Sequence, residues 1–185
     1  EHSSAASDVY KRQVSFTAVS LRSMQNENAM NDQRIKILEA ANIYDSSISV
    51  EEQFSNLDIK YIDFENGLIL DEYLDFDIES YDQLKSTRDA SLSTPVPASD
   101  DIAVIKNREN VGKFYIVKDD NGLIDKLILP IRGYGLWGTL YGYMAIENDF
   151  NTVAGLVFYD HKETPGLGAE VDNPKWKALW AGKKI

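Results

Sequence analysis

Apolar positions recur along this chain with two periods, helical in the first half and alternating in the second. From Ser23 to Asn42 there is no glycine or proline, and Met30, Ile37, Leu38 and Ala41 fall roughly along one face at helical spacing. That pattern predicts an amphipathic helix. Ser49-Val50-Glu51-Glu52 has the Ser-x-x-Glu spacing of a capping box, so a second short helix is expected to about Leu57. Between Lys60 and Leu74 apolar residues are frequent but acids interrupt them, and strands are weakly encoded there. Ser91 to Asp101 holds two prolines among small polar residues and reads as an extended surface loop.

Beyond it the pattern becomes β. Lys113–Lys118 and Leu123–Ile131 flank Asp119-Asp120-Asn121-Gly122, a hairpin signal. Thr139–Glu147 and Thr152–Tyr159 flank Asn148–Asn151 and predict a second hairpin. Asn173-Pro174 suits a helix start, asparagine as N-cap and proline in the first helical position, with the helix running over Lys175–Trp180. Helix, antiparallel meander and helix together define an α+β class, a mostly antiparallel twisted sheet with flanking helices.

Composition narrows the chemistry. At 185 residues, with 43% hydrophobic and 11% aromatic residues, the chain suits one globular domain. It has no cysteine and two histidines, His2 and His161, which excludes thiolate chemistry and makes a histidine-rich metal site or a serine–histidine–aspartate triad a poor fit. A net charge of −11 argues against a nucleic-acid partner. Twelve acids between Asp45 and Asp82 face Lys60 alone. They lack the spacing of a calcium loop and read as a solvated face.

Seven of the eleven glycines fall between Gly133 and Gly168, interleaved with Tyr134, Trp137, Tyr141, Tyr143, Phe158 and Tyr159. Glycine lets backbone take a positive φ or approach a flat ligand, and aromatic neighbours supply walls. The densest part is Glu163-Thr164-Pro165-Gly166-Leu167-Gly168, where Pro165-Gly166 fits the centre of a type II turn. Two readings satisfy these residues: a ligand cradle, or a plain turn at a hairpin end with Trp137 and Tyr141 filling a core.

The segments GYGLWGTLYGYMA, LPIRGYGLW and GLVFYDHKETPGLGAEVDNPKWKALWAGKK resemble the C subunit of the sodium-translocating NADH:quinone oxidoreductase, in register from about Val14 to Ile185. ETPGLG also occurs in the related G subunit of the Rnf electron-transport complex, whereas GLWG and DNPKWKALW favour the quinone reductase. The resemblance implies FMN as cofactor, with Leu136, Trp137 and Leu167 walling the ring. Glu163, Thr164, Pro165, Gly166 and Gly168 would border its polar edge. No residue of the chain is expected to be catalytic or to hold a metal. His161 reads as a ring-edge donor or a structural hydrogen-bonder, and Lys175, Lys177, Lys183 and Lys184 as a phosphate-facing cluster or a solvated face. In the family the flavin phosphate is joined to a threonine in a Ser/Thr-Gly-Ala-Thr motif. That motif does not occur in these 185 residues, so it is expected beyond Ile185.

The implied organisation has three parts. Residues 1–13 look like a non-native leader, residues 14–21 like the end of an N-terminal membrane anchor, and residues 22–185 like an extracytoplasmic FMN-binding domain, incomplete at its C-terminus. The implied role is electron relay within an NADH-driven, sodium-translocating membrane complex of the bacterial inner membrane, with the complex's other subunits as partners. The alternatives are a G-type flavin subunit and a non-redox interaction module whose flavin site has decayed.

Overall fold

A computed structural model describes residues 24–70, 81–166 and 168–185. The expectations for residues 1–21, for the acids between 71 and 79, and for Leu167 lie outside the described residues.

Helix α1 covers residues 24–40 and ends in a Schellman motif, in which Asn42 N–H donates to the Glu39 carbonyl and Ile43 N–H to the Leu38 carbonyl, both at 3.1 Å. Asn42 takes the left-handed conformation this requires (φ 58°). The helix therefore stops two residues before the expected end. Helix α2 (Val50–Ser55) begins where Ser49 accepts the Glu52 amide at 3.2 Å.

Six strands form one antiparallel sheet: β1 (Asp58–Asp63), β2 (Ile69–Leu70), β5 (Val111–Lys118), β6 (Ile124–Tyr134), β7 (Thr139–Glu147) and β8 (Val153–Asp160), in the order β2-β1-β5-β6-β7-β8. Between β2 and β5 lie helix α3 (Gln83–Ser86) and a small ladder of β3 (Ser93–Pro95) with β4 (Asn107–Glu109). A 3-10 turn (Ala169–Asp172) and helix α4 (Pro174–Ala178) follow β8. The α+β class holds. Ser91–Asp101 is not wholly loop, because Ser93–Pro95 pair with Asn107–Glu109, a downstream partner that local sequence does not announce.

The core forms where Ile37, Leu38, Ala40 and Ala41 of α1 press on Tyr115, Ile128, Tyr143, Ala145 and Val157 of the sheet. Met30, expected on this face, is exposed instead. Gly155 sets how closely the helix end approaches β8: a Cβ there would sit 2.3 Å from the Ala40 carbonyl. Asn42 fastens the same junction through its amide, which donates to the Ala154 carbonyl at 3.1 Å.

Pro130 lies within β6, where a missing N–H would break a ladder. The structure resolves the conflict through pairing. On the β7 side Pro130 lies opposite Tyr143, while the β5–β6 ladder stops at Tyr115↔Ile128. Below that point β5 and β6 part, and Arg132 of β6 reaches β4 instead. Its guanidinium lies 2.7 Å from the Glu109 carboxylate and donates to the Asn107 carbonyl at 2.9 Å. Gln83 of α3 closes the network, donating to Glu109 and accepting the Lys113 amide. Glu109 and Arg132 retain 7% and 15% side-chain exposure, so each charge relies on the other.

Two tests follow from this packing. Glu109→Ala leaves Arg132 buried without its counter-ion and is expected to cost about 3–5 kcal/mol in urea unfolding, most of it restored when Arg132→Met is added. The second concerns Tyr159, whose phenol burial pushes up to about 12, with Asp160 nearby adding to the effect, while burial also holds Tyr115 and Tyr143 well above the usual range. The fold favours neutral phenols, so their stabilisation is complete below the ordinary value of 10.0 and fades as pH rises toward 12. Phenolate absorbance should show Tyr159, 39% exposed, ionising near 12, and the buried Tyr115 and Tyr143 ionising only together with loss of near-UV circular dichroism.

Candidate functional site

The β6–β7 ladder runs to Tyr134↔Thr139, and beyond it Gly135 N–H donates to the Gly138 carbonyl at 2.7 Å, closing a tight tip. Leu136 and Trp137 occupy that tip and are 76% and 61% exposed. An exposed Trp–Leu pair at a rigid turn is not core filling. The alternative reading of Trp137 as core filling is thus excluded.

The chain leaving β8 lies against the tip. At Gly135 a Cβ would stand 2.4 Å from Glu163 Oε1 and 2.3 Å from Leu140 Cδ1. Glu163 Oε1 accepts the Trp137 N–H at 3.1 Å, a direct bond between the two segments singled out in the sequence. His161 organises the approach to Glu163. Its Nδ1 accepts the Glu163 N–H at 3.3 Å, which leaves Nε2 as donor to Asp172 at 2.8 Å. This histidine is structural.

After Glu163 the backbone coils on itself. Gly168 and Ala169 both donate their N–H to the Thr164 carbonyl at 3.0 Å, and Gly166 takes φ 101°. The positive φ expected at Gly166 is present, but the loop joins β8 to the 3-10 turn and does not close a hairpin. Thr164, Pro165 and Gly166 are exposed, and nothing lies within 4 Å of where a Gly166 Cβ would be. Gly168 faces inward, with a Cβ there only 2.8 Å from Thr164 N. Asn173 then accepts the Lys175 N–H at 2.9 Å and starts α4, whose Trp176 packs on Phe158 at 6.3 Å. The helix ends at Ala178, two residues short of the expected Trp180, because the chain turns into a short segment that pairs beside β8.

Leu136, Trp137, Glu163, Thr164, Pro165, Gly166 and Gly168 therefore gather at one end of the sheet. The four lysines do not gather: Lys184 pairs with Asp149 at 2.9 Å beside the opposite turn of β8. No cluster of three or more metal-binding side chains occurs among the described residues. Sequence reasoning missed a cavity on the α1 side of the sheet, walled by Tyr141, Tyr143 and Tyr159 with Lys113 at its margin. Alternate tyrosines in β7 are its only local signal.

An exposed apolar tip and a glycine loop, joined by a side-chain bond, close one end of the sheet in this α+β domain. Residues 135–185, from that tip onward, match a family model described as an FMN-binding domain. The C subunit of the Na(+)-translocating NADH-quinone reductase of Pseudomonas aeruginosa is 47% identical over 176 residues, covering 93% of this chain and 66% of the relative. Its Vibrio vulnificus counterpart is 41% identical over 173 residues, with the same coverage. The crystal structure of Shewanella oneidensis NqrC superposes with a TM-score of 0.74 at 32% identity, over 85% of this chain and 72% of that one. The Parabacteroides distasonis homologue gives 0.65 at 30% identity, over 89% and 70%. This chain belongs to the NqrC family, the C subunits of the Na(+)-translocating NADH-quinone reductases, and it spans 66% of the length of the curated relatives it matches.

The tip and the loop should be energetically coupled. Gly135→Ala is expected to cost about 1–3 kcal/mol, since the new methyl strikes Glu163 and Leu140. On a Glu163→Ala background the same change should cost measurably less, and a double-mutant cycle by chemical denaturation reads the difference.

Proposed function

We propose that this chain is the flavin-holding portion of an NqrC protein, with FMN bound at the sheet end formed by Leu136, Trp137 and the Glu163–Gly168 loop. There it relays electrons between redox subunits of an NADH-driven, sodium-translocating quinone reductase. The bond from Trp137 N–H to Glu163 carries this reading, because it holds an exposed apolar tip beside an open glycine loop.

The residues suit such a ligand. When bound, FMN supplies a flat ring that accepts and releases electrons. Leu136 and Trp137 offer apolar surface for one face of that ring and keep water from it. The Gly166 amide, without a backbone partner among the described residues, and the exposed Thr164 hydroxyl offer hydrogen bonds to its polar edge. Pro165 restricts the loop backbone, and Gly168 closes it through its N–H to the Thr164 carbonyl. Glu163 is a positioning residue in this reading, since its Oε1 is committed to the tip backbone.

The finer features belong to the same proposal. The flavin phosphate is bonded to a threonine outside this sequence. Residues 14–21 end a single N-terminal anchor, and residues 22–185 form a domain on the periplasmic side of the bacterial inner membrane, in contact with the complex's other subunits. No helix among the described residues is long and apolar enough to cross a membrane.

The test uses the full-length protein loaded with flavin. Trp137→Ala and Gly166→Val should both keep covalent flavin, seen as in-gel fluorescence, because attachment lies elsewhere. Each should shift the midpoint potential by on the order of 30 mV, which for a two-electron couple equals about 1.4 kcal/mol. Potentials and flavin spectra that match the unmutated protein in both variants would overturn the placement of the ring.

A further inference from the structure

Where β5 and β6 part below Tyr115↔Ile128, a cavity of about 440 Å³ opens on the α1 side of the sheet. One wall is aromatic. Tyr143 and Tyr159 stack with ring centroids 5.2 Å apart, and Tyr141 continues the surface 6.3 Å from Tyr159. Pro130 adds a flat apolar patch, and Gln33 reaches the Tyr143 hydroxyl at 2.7 Å.

Lys113 stands at this cavity in an unusual condition. Its ammonium lies 5.5 Å over the Tyr115 ring, and among the described residues no carboxylate comes within ion-pair distance of it. The neighbouring acids are committed elsewhere. Asp82 caps α3 through the Leu84 and Lys85 amides and pairs with the Lys85 ammonium at 2.9 Å. Glu109 is held by Arg132 and Gln83. Burial, reinforced by Arg34, lowers the Lys113 pKa, and the more distant Asp82 offsets this only in part. In a chain of net charge −11, a half-buried lysine left unpaired beside three tyrosine rings is a specific arrangement. A cationic ligand would be repelled by Lys113. A small inorganic anion would leave the aromatic wall uncovered, and an uncharged aliphatic ligand would leave the ammonium unpaired.

We propose that this cavity binds a planar aromatic ligand bearing one negative charge, of the aryl carboxylate class, with its ring against Tyr141 and Tyr159 and its anion paired to Lys113. The site is distinct from the tip that carries Leu136 and Trp137, and either assignment stands without the other.

Titration calorimetry on the full-length protein with naphthoate, and with naphthylmethanol as its uncharged counterpart, tests the proposal. Naphthoate should bind about tenfold tighter than the alcohol, and Lys113→Met should remove that advantage while leaving the alcohol's affinity unchanged. Tyr159→Ala should weaken both. In NMR of the lysine ε-methylene groups, the Lys113 titration should move to higher pH when naphthoate is bound. Trp137→Ala should change none of these results. Equal affinity for the two probes, no saturable binding of either, or full naphthoate affinity in Lys113→Met overturns the proposal. So does naphthoate binding that is lost in Trp137→Ala and kept in Lys113→Met, which would place the ligand at the sheet end.

Discussion

The nine-pair ladder between β6 and β7 is the constraint on which the rest of this structure depends. It runs without a bulge from Lys126↔Glu147 to Tyr134↔Thr139, whereas the neighbouring β5–β6 and β7–β8 ladders are both interrupted. A continuous antiparallel ladder fixes side chains on alternate faces and leaves its closing turn at a defined height. That turn is the Leu136–Trp137 tip, and the returning strand β8 necessarily delivers residues 161–168 to the same end. The irregular ladders on either side then supply openings. One is the gap beside Pro130, and another is the displaced end of β8 from which the glycine loop departs.

Much of this was legible in the residues. The two hairpins of the second half are written in turn chemistry and alternation, and β7 has the predicted ends. Asn173-Pro174 and Ser49 act as the caps their types suggest. The pairing of tip and loop was legible only as two separate glycine-rich segments. Their bond depends on a register that no local pattern encodes. The first half was less readable for a related reason. β1 pairs with β5, and β3 with β4, across long separations, so each strand owes its existence to a partner that a local window does not contain. Lys113 was hidden too. In sequence it is an ordinary strand lysine, and its isolation appears only once Asp82 and Glu109 have been assigned to other partners.

The distribution of charge follows the same division. Acids crowd the segments that bend around the sheet, where water solvates them and short Asx turns use them. Asp63, Asp89 and Asp119 each accept amide hydrogens within a few residues of themselves. Such carboxylates shape loops without requiring counter-ions. Cations close to the sheet are few, and the two that matter differ in kind: Arg132 is matched by Glu109, while Lys113 rests on an aromatic face. The protein thus keeps a strongly negative exterior while leaving positive charge at selected interior positions.

The connectivity also sets the order in which the chain can assemble. The strands β5 to β8 are joined by short turns, so their hairpins close loops of a few residues and can form on the microsecond scale of isolated hairpins. Strand β1 must instead find β5 across the whole excursion that holds β2, α3, β3 and β4, as in the pair Asp58↔Ile116. Closing that loop is entropically costlier and slower. The sheet end that carries the tip and the glycine loop is built entirely from this meander and the residues just after it. Its geometry can therefore be set before the N-terminal half docks, even though synthesis delivers α1 and β1 ahead of the strands they pack on.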